Sequence, residues 1–379
     1  MPYAMNRRHV LCHLAALSGA ASLPALADGA PILLGQSAPF SGPASELGLA
    51  FRQGAMLVFD QVNARGGIGG RKIELRSMDD GYEPERCAAN TRSLIGAGVT
   101  ALFGYVGTPT SLAALPLFTA AKVPFVAPYT GAEALRTPFN RYVFNVRASY
   151  FDEAAEIVKQ ITAVGIKRVA VFYQDDSYGQ SGLQGVQAAL KPLGLAPVSL
   201  GTVERNSTDV AAAVKSVVAG SPECVIQISA YKSCAAFIRA ARLAGFGGNF
   251  YNLSFVGTQA LADELGSAAK GVIVSQVMPF PFSTRTPVAG EYLDRLKASH
   301  LPGKDPSYSG MEGYVAARTM VEGLRRAGNT IHAESLVAGL ESLHDFDLGG
   351  FFVNFSAQRH NGSKFVDMTI LTEDGRVRH

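Results

Sequence analysis

Histidine is nearly missing from most of this chain. Of the 7 histidines in 379 residues, His9 and His13 lie at the extreme N-terminus. The others, His300, His332, His344, His360 and His379, fall in roughly the last fifth. No pair has the spacing of a metal site, so no metal or cofactor is expected. A Ser–His or Cys–His nucleophile would have to recruit one of these late residues, which argues against an enzyme. An excess of one charge is also lacking. The balance is 34 basic to 31 acidic residues, net +3, with no basic field that would imply a nucleic acid partner. Long apolar runs are absent beyond the N-terminus, so no segment reaches the roughly 18 residues of a membrane span. Cysteine is scarce. Cys12 lies near the N-terminus, and Cys87, Cys224 and Cys234 make an odd set. Cys224 opens an expected strand and Cys234 lies in a helix beyond its other end. A strand advances about 3.3 Å per residue, too far for an easy disulfide. All three read as small buried hydrophobes.

What is present begins with an address. Arg7 and Arg8 form a basic start, Val10 to Leu23 is apolar and small, and Ala25-Leu26-Ala27 matches a cleavage site. Residues 1–27 therefore read as a cleaved signal peptide, which implies an exported, periplasmic protein. The sequence leaves Sec and twin-arginine export open. Setting aside Arg7 and Arg8 leaves 32 basic against 31 acidic residues. Hydrophobic content of 47% with 17% charged residues fits a well-cored globular chain.

The rest alternates. Pro31–Ala38, Arg71–Asp79, Val99–Phe103 and Val123–Ala127 read as strands, and Ser45–Ala64, Glu85–Ala97 and Ser111–Ala121 as helices. Residues 150–275 repeat the plan, with strands near 168–173, 198–203, 224–229, 249–253 and 272–274. Strands alternating with helices imply parallel sheets covered on both faces. The fold class is therefore α/β, with two doubly wound Rossmann-like lobes. After residue 275 come three helices and two short antiparallel strands, too few for a third lobe. They are expected to complete the first two. That divides the chain into 28–146 plus 279–344 as one lobe and 147–278 plus 345–379 as the other, joined by a multi-crossing hinge. A cleft between two lobes is a favoured small-molecule site.

Several stretches invite a chemical reading. Gly66 to Lys72 resembles a phosphate loop superficially, but a strand follows it and the Gly-Lys-Ser/Thr spacing is wrong, so it reads as a turn. Gly179-Gln180-Ser181-Gly182-Leu183 is a nucleophile elbow broken at Leu183. Asp80 and Asp175, each after a strand, read as solvent-facing helix caps. Gly104-Tyr105-Val106-Gly107-Thr108-Pro109-Thr110 is the most informative segment. It turns from a buried strand into a helix, with Thr108 as the expected N-cap and Pro109 at the first helical position. It should present free backbone N–H groups beside two hydroxyls, an arrangement that suits a carboxylate. Thr130 and Glu133 have capping-box spacing for a further helix start. Tyr129, Tyr178 and Tyr231 sit at comparable strand ends and could sandwich a ligand.

Phe40-Ser41-Gly42-Pro43, the run Asn63 to Ile73, the loop Gly104 to Thr110 and the run Phe172 to Gly179 resemble the leucine/isoleucine/valine-binding family of periplasmic substrate-binding proteins. The resemblance spans nearly all of the chain after residue 27. It implies a type I periplasmic-binding fold with three hinge crossings. It also implies binding without turnover, as a monomer that delivers its ligand to the permease subunits of an ABC importer. By the same resemblance, Thr108 takes the ligand carboxylate and Tyr129, Thr130 and Gly131 add contacts. Tyr178 and Tyr231 then face them from the second lobe. Amino-acid binders of the family hold the α-ammonium with an acid in the second lobe. Here that loop reads Ser254-Phe255-Val256-Gly257. An unpaired buried ammonium is costly, so a carboxylate with a neutral body, aromatic among the options, stands beside a branched-chain amino acid. Two other classes are a ligand-sensing periplasmic receptor with a separate signalling partner, and an exported hydrolase.

Overall fold

The computed structural model describes residues 29–301 and 305–379; the expected signal peptide lies outside the described residues. Two sheets organise the chain. The first has the order β2-β1-β3-β4-β5, built from β1 (Ile32–Ala38), β2 (Ile73–Asp79), β3 (Ala101–Phe103), β4 (Phe125–Val126) and β5 (Val143–Phe144). Every pairing in it is parallel. β1 is buried almost throughout because it lies between β2 and β3 with helices on both faces. Those helices include α1 (Ser45–Ala64), α2 (Pro84–Gly96) and α3 (Thr108–Ala121).

The second sheet has the order β14-β13-β10-β9-β8-β6-β7. Its parallel part comprises β6 (Val169–Gln174), β7 (Ser199–Val203), β8 (Cys224–Ile228), β9 (Asn249–Asn252) and β10 (Ile273–Gln276). The helices α4 (Tyr150–Ala163), α5 (Ser177–Leu190), α6 (Ala211–Ala219), α7 (Tyr231–Leu243) and α8 (Thr258–Leu265) belong to this lobe. β13 (Asp367–Leu371) adds antiparallel to β10, and β14 (Val377–Arg378) to β13. Cys87, Cys224 and Cys234 are buried and free. In each sheet the strand order reverses beside its first strand, at β1/β3 and at β6/β8. Open sheets form their ligand crevice at such a switch point, outside the carboxyl ends of the strands.

After β10 the chain returns to the first lobe. α9 (Pro287–Ala298), α10 (Tyr308–Arg326) and α11 (Ala333–Glu341) follow, with α10 packed along α1. β11 (Phe346–Asp347) and β12 (Phe352–Val353) form a small hairpin. The segment after it stays with the first lobe beyond residue 344. Phe355 N–H donates to Leu343 O at 2.8 Å, Asn145 N–H to His360 O at 2.8 Å and Gly362 N–H to Asn145 O at 2.7 Å. The last crossing therefore falls between Gly362 and β13, later than the 345 boundary expected from sequence. Short hairpins carry little periodic signal, and the ring contact of Phe355 with Phe144 at 5.3 Å is invisible in sequence. The chain crosses between lobes three times, near 145–150, 277–287 and 362–367.

Candidate interlobe binding site

The loop after β3 is where the first lobe meets the cleft. Gly104 has φ +62 and Gly107 φ +102, and a Cβ on either would strike a ring, Phe51 at 2.3 Å or Tyr82 at 2.2 Å. Only glycine fits both the backbone and the space. Gly107 is the residue that enters the helix, and Thr108 is the first helical residue. The Thr108 side chain is thus not the cap expected from sequence. Because the turn is made one residue earlier, its hydroxyl is released. It shares a 2.7 Å hydrogen bond with the Thr130 hydroxyl. Thr110, the second expected hydroxyl, bonds back to Val106 O at 2.5 Å and is unavailable. Of the backbone donors, Gly107 N–H is used by Tyr129 O and Ser111 N–H by Gly107 O. The first-turn N–H groups of Thr108 and Thr110 have no intrahelical acceptor.

Thr130 also departs from its expected role. No capping box forms, because Glu133–Leu135 is a single 3₁₀ turn. Thr130 instead donates to the Tyr150 hydroxyl at 3.2 Å and accepts from Ala132 N–H at 3.3 Å. A chain of three hydroxyls results, Thr108–Thr130–Tyr150, and all three residues are fully buried. Burial is the main reason the Tyr150 phenol is pushed up to about 12, which keeps it a donor. Gly131 lies against it, since a Cβ there would meet Tyr150 N at 2.6 Å.

The second lobe answers with rings. Tyr178 stands in the first turn of α5, whose cap is Asp176. The exposed Asp175, expected as a cap, faces solvent only. Tyr178 packs on Tyr150 at 5.2 Å and on Phe255 at 4.6 Å. Phe255 in turn reaches the first-lobe rings of Tyr129 at 5.6 Å and Tyr82 at 5.9 Å. Tyr129 directs its hydroxyl to Ser309 at 2.9 Å and its ring to Phe51 and Phe255. Tyr231, at the start of α7, is buried against Ser45 and Glu46 of the first lobe. The structure thus gathers Thr108, Thr130, Gly131 and Tyr178 around Tyr150. It sets Tyr129 beside them, ring inward, and Tyr231 at a separate interlobe contact.

Sequence reasoning missed four participants: Tyr82, Arg147, Tyr150 and Phe255. One signal was available, for Tyr150. Ser149 and Asp152 form a capping box, which fixes Tyr150 as the first residue of α4. Asp80 was also misread. It is fully buried, accepting from Ser37 Oγ at 2.8 Å and Tyr82 N–H at 2.8 Å, and burial raises its carboxyl to about 6. Its neighbour Asp79 takes the partly exposed role, bound to Ser41 and Arg86.

Behind the rings lies a buried charge cluster. Arg147 is 1% exposed, on the first crossing between lobes. Its guanidinium meets Glu153 of the second lobe at 3.1 Å and Glu312 of the first at 3.4 Å. It also contacts the Ser254 hydroxyl and lies over the Tyr129 ring at 5.1 Å. Burial opposes its charge, but Glu312 and Glu153 hold it above its ordinary value. Glu153 is further bound by Ser254 N–H at 2.8 Å and Ser275 Oγ at 2.6 Å. Among the described residues Glu312 is bonded by Arg147 alone, and burial raises its carboxyl to about 7. Two carboxylates share one guanidinium, and Glu312 is the less compensated.

That imbalance has a sign. With the folded pKa above the unfolded one, the native state binds more protons between about pH 4.5 and 7. The Glu312 contribution to stability therefore falls as pH rises through that window and is flat above it. Asp80 acts in the same direction up to about pH 6. His360, which burial lowers to about 4, acts oppositely up to its unfolded value of 6.5. The difference between Glu312→Gln and wild type isolates the one group. Urea unfolding should show the variant gaining on wild type by up to about 3 kcal/mol between pH 5 and pH 8. An equal offset at both pH values would refute the assignment.

At the rim, Arg205 of the second lobe pairs with Glu83 of the first at 3.1 Å and with Asp176 at 3.3 Å. Asn206 donates to Gly81 O at 3.1 Å. Among the described residues no group of three or more His, Cys, Asp or Glu side chains could hold a metal, and no helix is long and apolar enough to cross a membrane.

Comparison with known proteins agrees with this architecture. The model of the periplasmic binding protein family matches residues 31–375. A Leu/Ile/Val-binding protein homolog 8 of Brucella suis is 26% identical over 385 residues, covering 96% of this chain and 92% of that one. Two solved structures superpose closely. A possible leucine/isoleucine/valine-binding protein from Rhodopirellula baltica has 34% identity and a TM-score of 0.88, covering 93% of this chain and 96% of its own. An extracellular ligand-binding receptor from Verminephrobacter eiseniae has 32% identity and a TM-score of 0.84, covering 92% and 100%. The chain, a two-lobed type I binding fold, belongs to the periplasmic binding protein family, as a substrate-binding protein similar to the leucine/isoleucine/valine-binding proteins.

Proposed function

We propose that this protein captures a small carboxylate between its lobes and presents it to the permease subunits of an ABC importer from the periplasm. The observation that carries this reading is the buried hydroxyl chain Thr108–Thr130–Tyr150 beside the open first turn of α3. Hydroxyl and N–H donors with no side-chain carboxylate among them suit an anion. Thr108, Thr130 and the adjacent N–H groups take the carboxylate. Tyr129, Gly131 and Tyr178 enclose its body, and Tyr231 closes the second lobe on the first. The Tyr178 hydroxyl supports this role, being buried without a hydrogen-bond partner. A buried hydroxyl that the chain leaves unpaired can take its partner from a ligand.

The other end of the ligand is less charged. The loop Ser254–Gly257 carries no acid, and the nearby buried carboxylates Glu153 and Glu312 are held by Arg147. This favours a carboxylate with an uncharged apolar or aromatic body. The names of the relatives point instead to branched-chain amino acids, and a titration comparing the two decides. The receptor relative makes a sensor with a separate signalling partner the second reading; crosslinking to a receptor in place of a permease would favour it.

Replacing Thr108 with Ala removes one charge-assisted contact. Calorimetry should show the bound carboxylate weakened by about 1–2 kcal/mol, or roughly 5- to 30-fold. Unchanged affinity would remove Thr108 from the site.

A further inference from the structure

Phe255 occupies an unusual place. It sits in the 3₁₀ turn Ser254–Val256 after β9. The side chain is fully buried. Its ring touches Tyr178 of its own lobe and Tyr82 and Tyr129 of the opposite one. The mounting is rigid. Ser254 N–H is held by Glu153 at 2.8 Å, Val256 N–H by Leu253 O at 3.0 Å, and Gly257 lies so close to Leu47 that a Cβ there would clash at 2.3 Å. The contacts run in order from the hydroxyl pair: Thr130 to Tyr150, Tyr150 to Tyr178, Tyr178 to Phe255. On the carboxylate reading, a ligand anchored at Thr108 and Thr130 would extend along this row and end against Phe255.

We infer that Phe255 is the specificity residue that sets how long a ligand body the closed cleft accepts. The inference rests on the carboxylate reading proposed above. A ring fixed at both its backbone and its neighbours cannot yield to a longer ligand, because close-packed interiors transmit strain without adapting. A side chain that merely glued the lobes together would change affinity equally for every ligand. A gauge changes their order.

The test is calorimetric titration of the full chain with benzoate, phenylacetate, phenylpropanoate and phenylbutanoate, for wild type, Phe255→Ala and Phe255→Leu. Wild type should favour a shorter member. Phe255→Ala should move the optimum to a longer one, with the longest gaining about tenfold or more over the shortest, the range by which pockets discriminate small apolar groups. Phe255→Leu should shift the order less, and it keeps the test decisive should Phe255→Ala not fold. A wild type that binds, with the same rank order in the variants, overturns the gauge alone. A wild type that binds none of the series overturns the gauge as drawn for aryl bodies, and one that binds no carboxylate at all, the branched-chain amino acids included, overturns the carboxylate reading with it.

Discussion

Arg147→Met should cost about 3–5 kcal/mol of folding stability, read as a lower urea midpoint at neutral pH. The guanidinium is 1% exposed and is the shared counter-charge of Glu153 and Glu312. Methionine keeps much of the apolar stem, so the loss is chiefly that of the guanidinium, its place over the Tyr129 ring included. It leaves two buried acids facing each other without a cation. Breaking a buried pair by removing one partner is costly because an uncompensated charge stays behind. A second change separates charge from packing. Adding Glu312→Gln to Arg147→Met removes one of the two orphaned acids and should recover part of the loss. Packing alone predicts no recovery. A single-variant loss below about 1 kcal/mol would mean the triad is solvated or otherwise compensated, and the account of the interlobe charge would be wrong.

The second large effect is steric. α1 and α10 cross with glycines at the contact. A Cβ on Gly54 would lie 1.8 Å from Gly310 O and 2.9 Å from Tyr314 N, and one on Gly313 would lie 1.9 Å from Phe51 O. Backbone atoms cannot swing aside, so Gly54→Ala must push the helices apart. Alanine gains about 1 kcal/mol of helix propensity, yet overpacking typically costs about 1–3 kcal/mol and two backbone contacts are violated at once. A net loss of about 2 kcal/mol or more in denaturant unfolding is expected. The consequence extends to the cleft, because α10 carries Ser309 to the Tyr129 hydroxyl and Glu312 to Arg147. Ligand affinity should therefore fall together with stability. Gly96→Ala is the control. It lies at the end of α2 with nothing within 4 Å of its added Cβ, and it should be neutral or slightly stabilising. Equal behaviour of the two variants would contradict the close crossing.

Much of the architecture could be read from the chain. The buried runs Val169–Gln174 and Cys224–Ile228 are apolar enough to identify strands covered on both faces. Gly104 and Gly107 mark a turn with no room for side chains. Four things were not legible, each for a physical reason. Boundaries slipped by a residue where a positive-φ glycine makes the turn, which moved Thr108 from cap to first helical residue. Asp80 looked like a solvent cap because its partner Ser37 lies on the neighbouring strand. Arg147 gave no signal in the sequence, because Glu312 is 165 positions away. Phe255 and Tyr82 belong to opposite lobes, and their contact exists only once the lobes meet. Periodicity reports which face of an element is buried, and it carries nothing about which lobe does the burying.

The central claim is that the buried hydroxyls and N–H groups at Thr108 and Thr130 select an anion. It is tested most directly by calorimetry on protein unfolded and refolded to strip any co-purified ligand. Branched-chain amino acids and aryl or alkyl carboxylates would each be titrated beside the corresponding amide. The account predicts that at least one carboxylate binds and that its amide, equal in shape but uncharged, binds about a hundredfold more weakly, the loss of two charge-assisted hydrogen bonds. Amides that match their acids across the panel would contradict it.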